Sequence, residues 1–191
     1  MTMPPRLRKA ALFVHVVSSV GWLGAVGAYA ALDIAAVSGR DVETVRAAYV
    51  AMGLTVSYVI VPLALASLLT GTVQALGTSW GLFRHYWVLV KLLLTAFATG
   101  VLLVETQTTD HLAHVAASGA DPRDLPGTLL HSVGGLMVLL AATLLSVFKP
   151  RGLTRYGWRK QADERAQPRT AEGGAAQSAP AIGDRPRQGA R

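Results

Sequence analysis

The sequence predicts an all-α protein, a polytopic membrane four-helix bundle, and three observations carry that prediction. Of 191 residues, 51% are apolar and only 15% are charged, against about 25% charged in ordinary soluble domains. Four apolar runs each approach the roughly 20 residues of helix that cross a bilayer. Strand-like alternation of period two is absent, as are internal repeats. The chain has no cysteine, which excludes a disulfide framework, thiolate zinc sites, iron–sulfur clusters and a cysteine nucleophile.

The first span is expected over residues 10–32. A basic segment, Met1–Lys9, precedes it, and Ala28-Tyr29-Ala30 resembles a signal-peptidase site. The run is long for a cleaved leader and carries His15, Ser18 and Ser19, so an uncleaved helix is expected. The second span, 50–76, lies in an apolar stretch too long for one upright helix. Pro62 near its middle predicts a kink, and an interfacial turn at Ala47–Gly53 is the other way to use the excess length. The third span is expected over 86–104 and the fourth over 129–148. Together they make a membrane domain of residues 1–148, followed by a basic tail of residues 149–191. Residues past about 167 are too polar to fold and are expected to be disordered.

The formal net charge of +7 suggests nucleic acid until it is located. The tail alone holds ten Lys/Arg against four Asp/Glu, so no nucleic-acid-reading fold is implied. Five basic residues between Lys149 and Lys160, with Tyr156 and Trp158 among them, predict a segment that lies on anionic lipids. With both termini inside, the cytoplasmic flanks hold ten Lys/Arg through Arg165 and the outer loops three. The positive-inside rule therefore places the N- and C-termini in the cytoplasm.

Polar residues inside spans are costly and mark interior faces. His15, Ser18, Ser19 and Trp22 share one face of the first helix, and Ser67, Thr70, Gly71 and Gln74 repeat that spacing on the second. Trp87, Lys91, Thr95 and Thr99 form an i+4 stripe on the third. At about 1.5 Å per residue, His15 and Lys91 reach similar depths, roughly 8 to 10 Å above the inner boundary. Two readings stand open. Lys91 snorkels to the headgroups and His15 bonds a neighbouring serine, or both face a common interior site. Small residues such as Gly21, Gly24, Gly134 and Gly135 fit helix contact.

At the outer side Asp110, His111 and His114 follow the third span, and His131 opens the fourth. Imidazole and carboxylate suit Zn²⁺ or Cu²⁺, so His111, His114 and His131 are candidate metal ligands. The other reading is a solvated loop, since the spacing matches no strong metal signature. Phosphate loops, nucleophile elbows and Rossmann glycines are absent.

His15-x6-Trp22-Leu23-Gly24 and Trp87-x3-Lys91-Leu92-Leu93 together resemble the CopD-like group of small bacterial four-helix membrane proteins. More distantly they resemble the haem-binding bacterial protoporphyrinogen oxidase family. The resemblance implies a multi-pass protein of the bacterial inner membrane, with His15 and Lys91 as haem b contacts and Trp22 and Trp87 beside them. Where the oxidase pattern has a histidine between the third-helix Trp and Lys, this chain has Val88-Leu89-Val90. Thr95 and Thr99 stand where its later histidines would be. The Phe148–Gly157 segment is similar to endings of uncharacterised actinobacterial membrane proteins, and 14 Arg against 4 Lys agrees. Three functions follow: a haem- or metal-binding membrane protein, a non-catalytic scaffold or accessory subunit, and copper handling at the outer histidines. The bilayer is the expected partner, with a second membrane protein or a homo-oligomer beside it.

Overall fold

The computed structural model describes residues 3–77, 86–119, 121–148, 154 and 158–159. The expectations for Arg84 and for the tail beyond Phe148, apart from those isolated positions, lie outside the described residues.

Helix α1 runs over Pro5–Ser38. Pro5 occupies the first turn, where its missing N–H is no loss. At 34 residues the helix is about 51 Å long, well beyond the 10–32 span expected. Asp41 then caps α2 (Val42–Thr55), accepting from the Thr44 amide at 2.9 Å and the Thr44 hydroxyl at 2.7 Å. These bonds from Thr44 hold the Asp41 carboxyl below its ordinary value. The expected interfacial turn at Ala47–Gly53 does not exist, because these residues are helical within α2. A π-helical turn over Val56–Ile60 joins α2 to α3 (Val61–Gly77), so the second crossing is one continuous helical run of 36 residues. The Val61 amide bonds the Val56 carbonyl. Pro62 has no N–H to give, and its ring crowds the carbonyl four residues back. Winding the preceding turn wider accommodates both, so the discontinuity expected at Pro62 takes this form.

Helix α4 runs over Tyr86–Ala117, 32 residues, extending the third crossing well past 104. It ends in a turn with Gly119 at φ 92°, a left-handed position that glycine takes without steric cost. A short 3₁₀ turn over Pro122–Asp124 leads to α5, Leu129–Phe148. All four crossings are long and apolar enough to span a membrane. The protein is a multi-pass membrane protein built as an all-α four-helix bundle.

Helix α1 packs against the α2–α3 run and against α5, and α4 packs against the same two. The first and third crossings are therefore diagonal, as antiparallel up-and-down bundles arrange them. Packing differs between the two halves. In the half away from Pro5 and Phe148, Val45, Met52, Ile60 and Ala116 are almost wholly buried. Small residues let the backbones close there: a Cβ on Gly53 would stand 2.8 Å from the Ala113 Cβ. In the half bearing Pro5, Gly77, Tyr86 and Phe148, α4 is only partly covered, and cavities open between the helices.

Candidate functional site

Two adjoining cavities, of about 260 and 600 Å³, occupy the half that bears Pro5 and Phe148. His15, Ser67, Lys91, Thr95 and Ser146 line both. Trp22 closes the smaller cavity, while Arg8, Gln74 and Trp87 line the larger. All four sequence-derived cofactor residues thus border one connected space.

The α1–α3 contact is a polar ladder that aims His15. Gln74 Nε2 donates to the Ala11 carbonyl at 3.2 Å, and the Ser19 and Ser67 hydroxyls bond at 2.7 Å. Between these rungs His15 Nδ1 lies 3.1 Å from the Ser67 carbonyl and 3.2 Å from Thr70 Oγ1. The carbonyl can only accept. Thr70 Oγ1 commits its own proton to the Ala66 carbonyl at 2.6 Å, so it too accepts. The network therefore places the imidazole proton on Nδ1 and leaves the Nε2 lone pair unshared. Gly71 makes room for the ring, since a Cβ there would lie 2.9 Å from His15 Cε1.

Across the bundle, Lys91 Nζ makes no ion pair or hydrogen bond among the described residues, while Thr95 and Thr99 bond back to α4 carbonyls. The Ser146 hydroxyl is buried on the cavity wall without a partner among the described residues. Arg8 and Lys91 make the space cationic.

The histidines at the other end stand apart. His111 and His114 are exposed on the extended α4. His131 Nε2 instead faces Glu105 Oε1 at 3.4 Å. Among the described residues no group of three or more His, Asp or Glu side chains converges to hold a metal ion.

Sequence reasoning missed Asp33. Its side chain is 0% exposed. It accepts from the Thr128 amide at 3.3 Å, the Thr128 hydroxyl at 2.9 Å and the Ser132 hydroxyl at 2.9 Å. It thereby pins α1 to the start of α5. The available signal was an isolated acid in the apolar run Ala31–Ala36.

Fold and site together define a small four-helix membrane protein with a cationic, histidine-bearing cavity in one half of its bundle. No protein-family model, no characterised protein and no solved structure matches the chain.

Proposed function

We propose that the protein binds haem b in the cavity between Pro5 and Phe148 at one end of the bundle, where His15 Nε2 would hold the iron. The observation that carries the reading is the hydrogen bond between His15 Nδ1 and the Ser67 carbonyl. Histidines that hold metals donate their other N–H to a carbonyl or carboxylate, and His15 donates to Ser67. The residues present fit the group in three further respects. The larger cavity, about 600 Å³, lies within the range of small-molecule sites. Arg8 and Lys91 suit its carboxylates, and Ser146 offers a hydroxyl that otherwise has no partner among the described residues. Bound there, haem supplies one-electron redox chemistry. The chain's own part is to fix the imidazole through Ser67 and Thr70 and to keep the site between helices. The resemblance of His15-x6-Trp22 and Trp87-x3-Lys91 to CopD-like proteins supports the same reading. The same reading puts the protein in a bacterial inner membrane with both chain ends in the cytoplasm.

The test is the visible spectrum of the full chain purified with haem supplied. A Soret band is expected in the wild type and is lost in His15→Ala. Lys91→Arg keeps the charge offered to the carboxylates and should leave the band in place. A colourless wild type refutes the proposal. It favours the scaffold reading, for which the bonds from His15 to Ser67 and Thr70 are helix contacts only. Reporter fusions after Arg84 and Arg165 should read cytoplasmic, and fusions at Asp41 and Asp121 external.

A further inference from the structure

A separate cavity of about 80 Å³ lies in the densely packed half, divided from the cationic space by Trp22 and Leu139, which line both. Its floor is apolar, with Val26 and Ile60 beside those two, and its polar wall comprises Tyr29, Glu105, Thr109, Thr128, His131 and Ser132. The direction of the protons on that wall decides what it can bind.

Thr128 and Ser132 both turn their hydroxyl protons to Asp33 Oδ2, at 2.9 Å each. Thr109 donates to the Glu105 carbonyl at 3.1 Å. Tyr29 lies 3.1 Å from Thr128 Oγ1 and 3.3 Å from Thr109 Oγ1. Both of those oxygens have committed their protons, so the phenol donates to one of them. All four hydroxyl donors are thus consumed within the protein, and what remains for the cavity is oxygen lone pairs. Asp33, wholly buried, is the sink that sets this direction. The Glu105 carboxylate adds a negative charge, and its partner His131 is 3.4 Å away. Among the described residues no Lys or Arg lines the space, whereas Arg8 and Lys91 line the one beyond Trp22.

We propose that this cavity is a binding site for a small primary ammonium. Three N–H donors on one nitrogen meet the Glu105 carboxylate and the lone pairs of Tyr29 and Ser132. Trp22 and Tyr29 put aromatic rings beside the site, and the apolar floor takes a short alkyl body. The volume sets the size. A cavity of about 150 Å³ holds benzene, so half of that admits a ligand of a few heavy atoms. Asp33 acts here as a positioning residue, because it orients the hydroxyls without bordering the cavity. The site uses neither His15 nor Lys91, so it stands whether or not haem binds.

The test is a titration of the full chain in detergent with ethylammonium chloride, with ethanol and sodium chloride at matched concentrations as controls. Ethylammonium is expected to raise the thermal midpoint in a saturable way, as a ligand of the folded state must. Glu105→Gln should weaken the apparent affinity by about tenfold or more through loss of the charge-assisted bond. Trp22 gives a second readout that needs no change at Glu105. With the other three tryptophans replaced by phenylalanine, its emission should shift with the same saturation. An equal response to ethanol or sodium, an undiminished response in Glu105→Gln, or an unresponsive Trp22 overturns the proposal.

Discussion

Removing the Asp33 carboxylate should loosen the bundle more than any other single truncation of a polar side chain. Asp33→Ala strands three donors that the fold has buried: the Thr128 amide, the Thr128 hydroxyl and the Ser132 hydroxyl. Hydrogen bonds to a charged group contribute about 1.5–3 kcal/mol each. Ser132 recovers part of its loss, because the Leu129 carbonyl already lies 3.1 Å from its hydroxyl. The Thr128 amide immediately precedes α5, and its bond is the longest of the three. Relief from burying a charge offsets some of the remainder. The net cost comes to about 3 kcal/mol, and Asp33→Asn should cost about half, since it keeps one acceptor but turns an NH₂ toward existing donors. Reversible unfolding in mixed micelles, followed by circular dichroism, measures both. An Asp33→Ala protein within about 1 kcal/mol of wild type would refute the reasoning, because even one stranded donor costs that much.

Other outcomes are as specific. Gly53→Val should destabilise by about 1–3 kcal/mol, as overpacking does, because its Cβ would meet the short, rigid Ala113 side chain at 2.8 Å; the same micelle assay checks it. Gly71→Ala should displace the His15 ring, 2.9 Å from the new methyl, and reduce haem retention with little change in unfolding. In the loop before α5, bonds from Arg123 hold the Asp121 carboxyl down to about 2. Its folded value is depressed, so the order it lends the loop is full above the ordinary 3.8 and is lost as pH falls through about 2. The carboxyl carbon shift of Asp121 should titrate there, and Arg123→Ala should return it toward 3.8.

The four crossings were legible because hydropathy alone reveals them, and the fourth expected span, from 129, begins where α5 begins. The helix extensions were not, since Glu105–His114 reads as a polar loop in any hydropathy window. Its helical signal was a sparse one: Thr109, Leu112 and Ala116, all buried, recur at three- and four-residue steps. The polar stripes were readable from periodicity, and they do meet, with His15 on Ser67 and Ser19 on Ser67. Asp33 was passed over because it sits one residue beyond the expected end of the first span. Its partners, at positions 128 and 132, are nearly a hundred residues away, and no local pattern connects them. The proton direction on the wall of the small cavity is likewise a property of the assembled bundle.

The uneven packing makes the bundle behave as a tuning fork. Its prongs are joined at the end where Gly53 meets Ala113 and Asp33 clasps α5. Toward Pro5 and Phe148 the α1–α3 pair stays joined by its polar ladder, while α4 and α5 stand off from it around the cavities. Spreading the prongs breaks few apolar contacts, whereas parting the stem breaks most of them, so the two motions differ widely in free energy. Amides in the stem should then exchange with solvent only on global unfolding, and amides along the prongs much sooner. A guest of varying thickness can be admitted between the prongs while the stem keeps the register of all four helices.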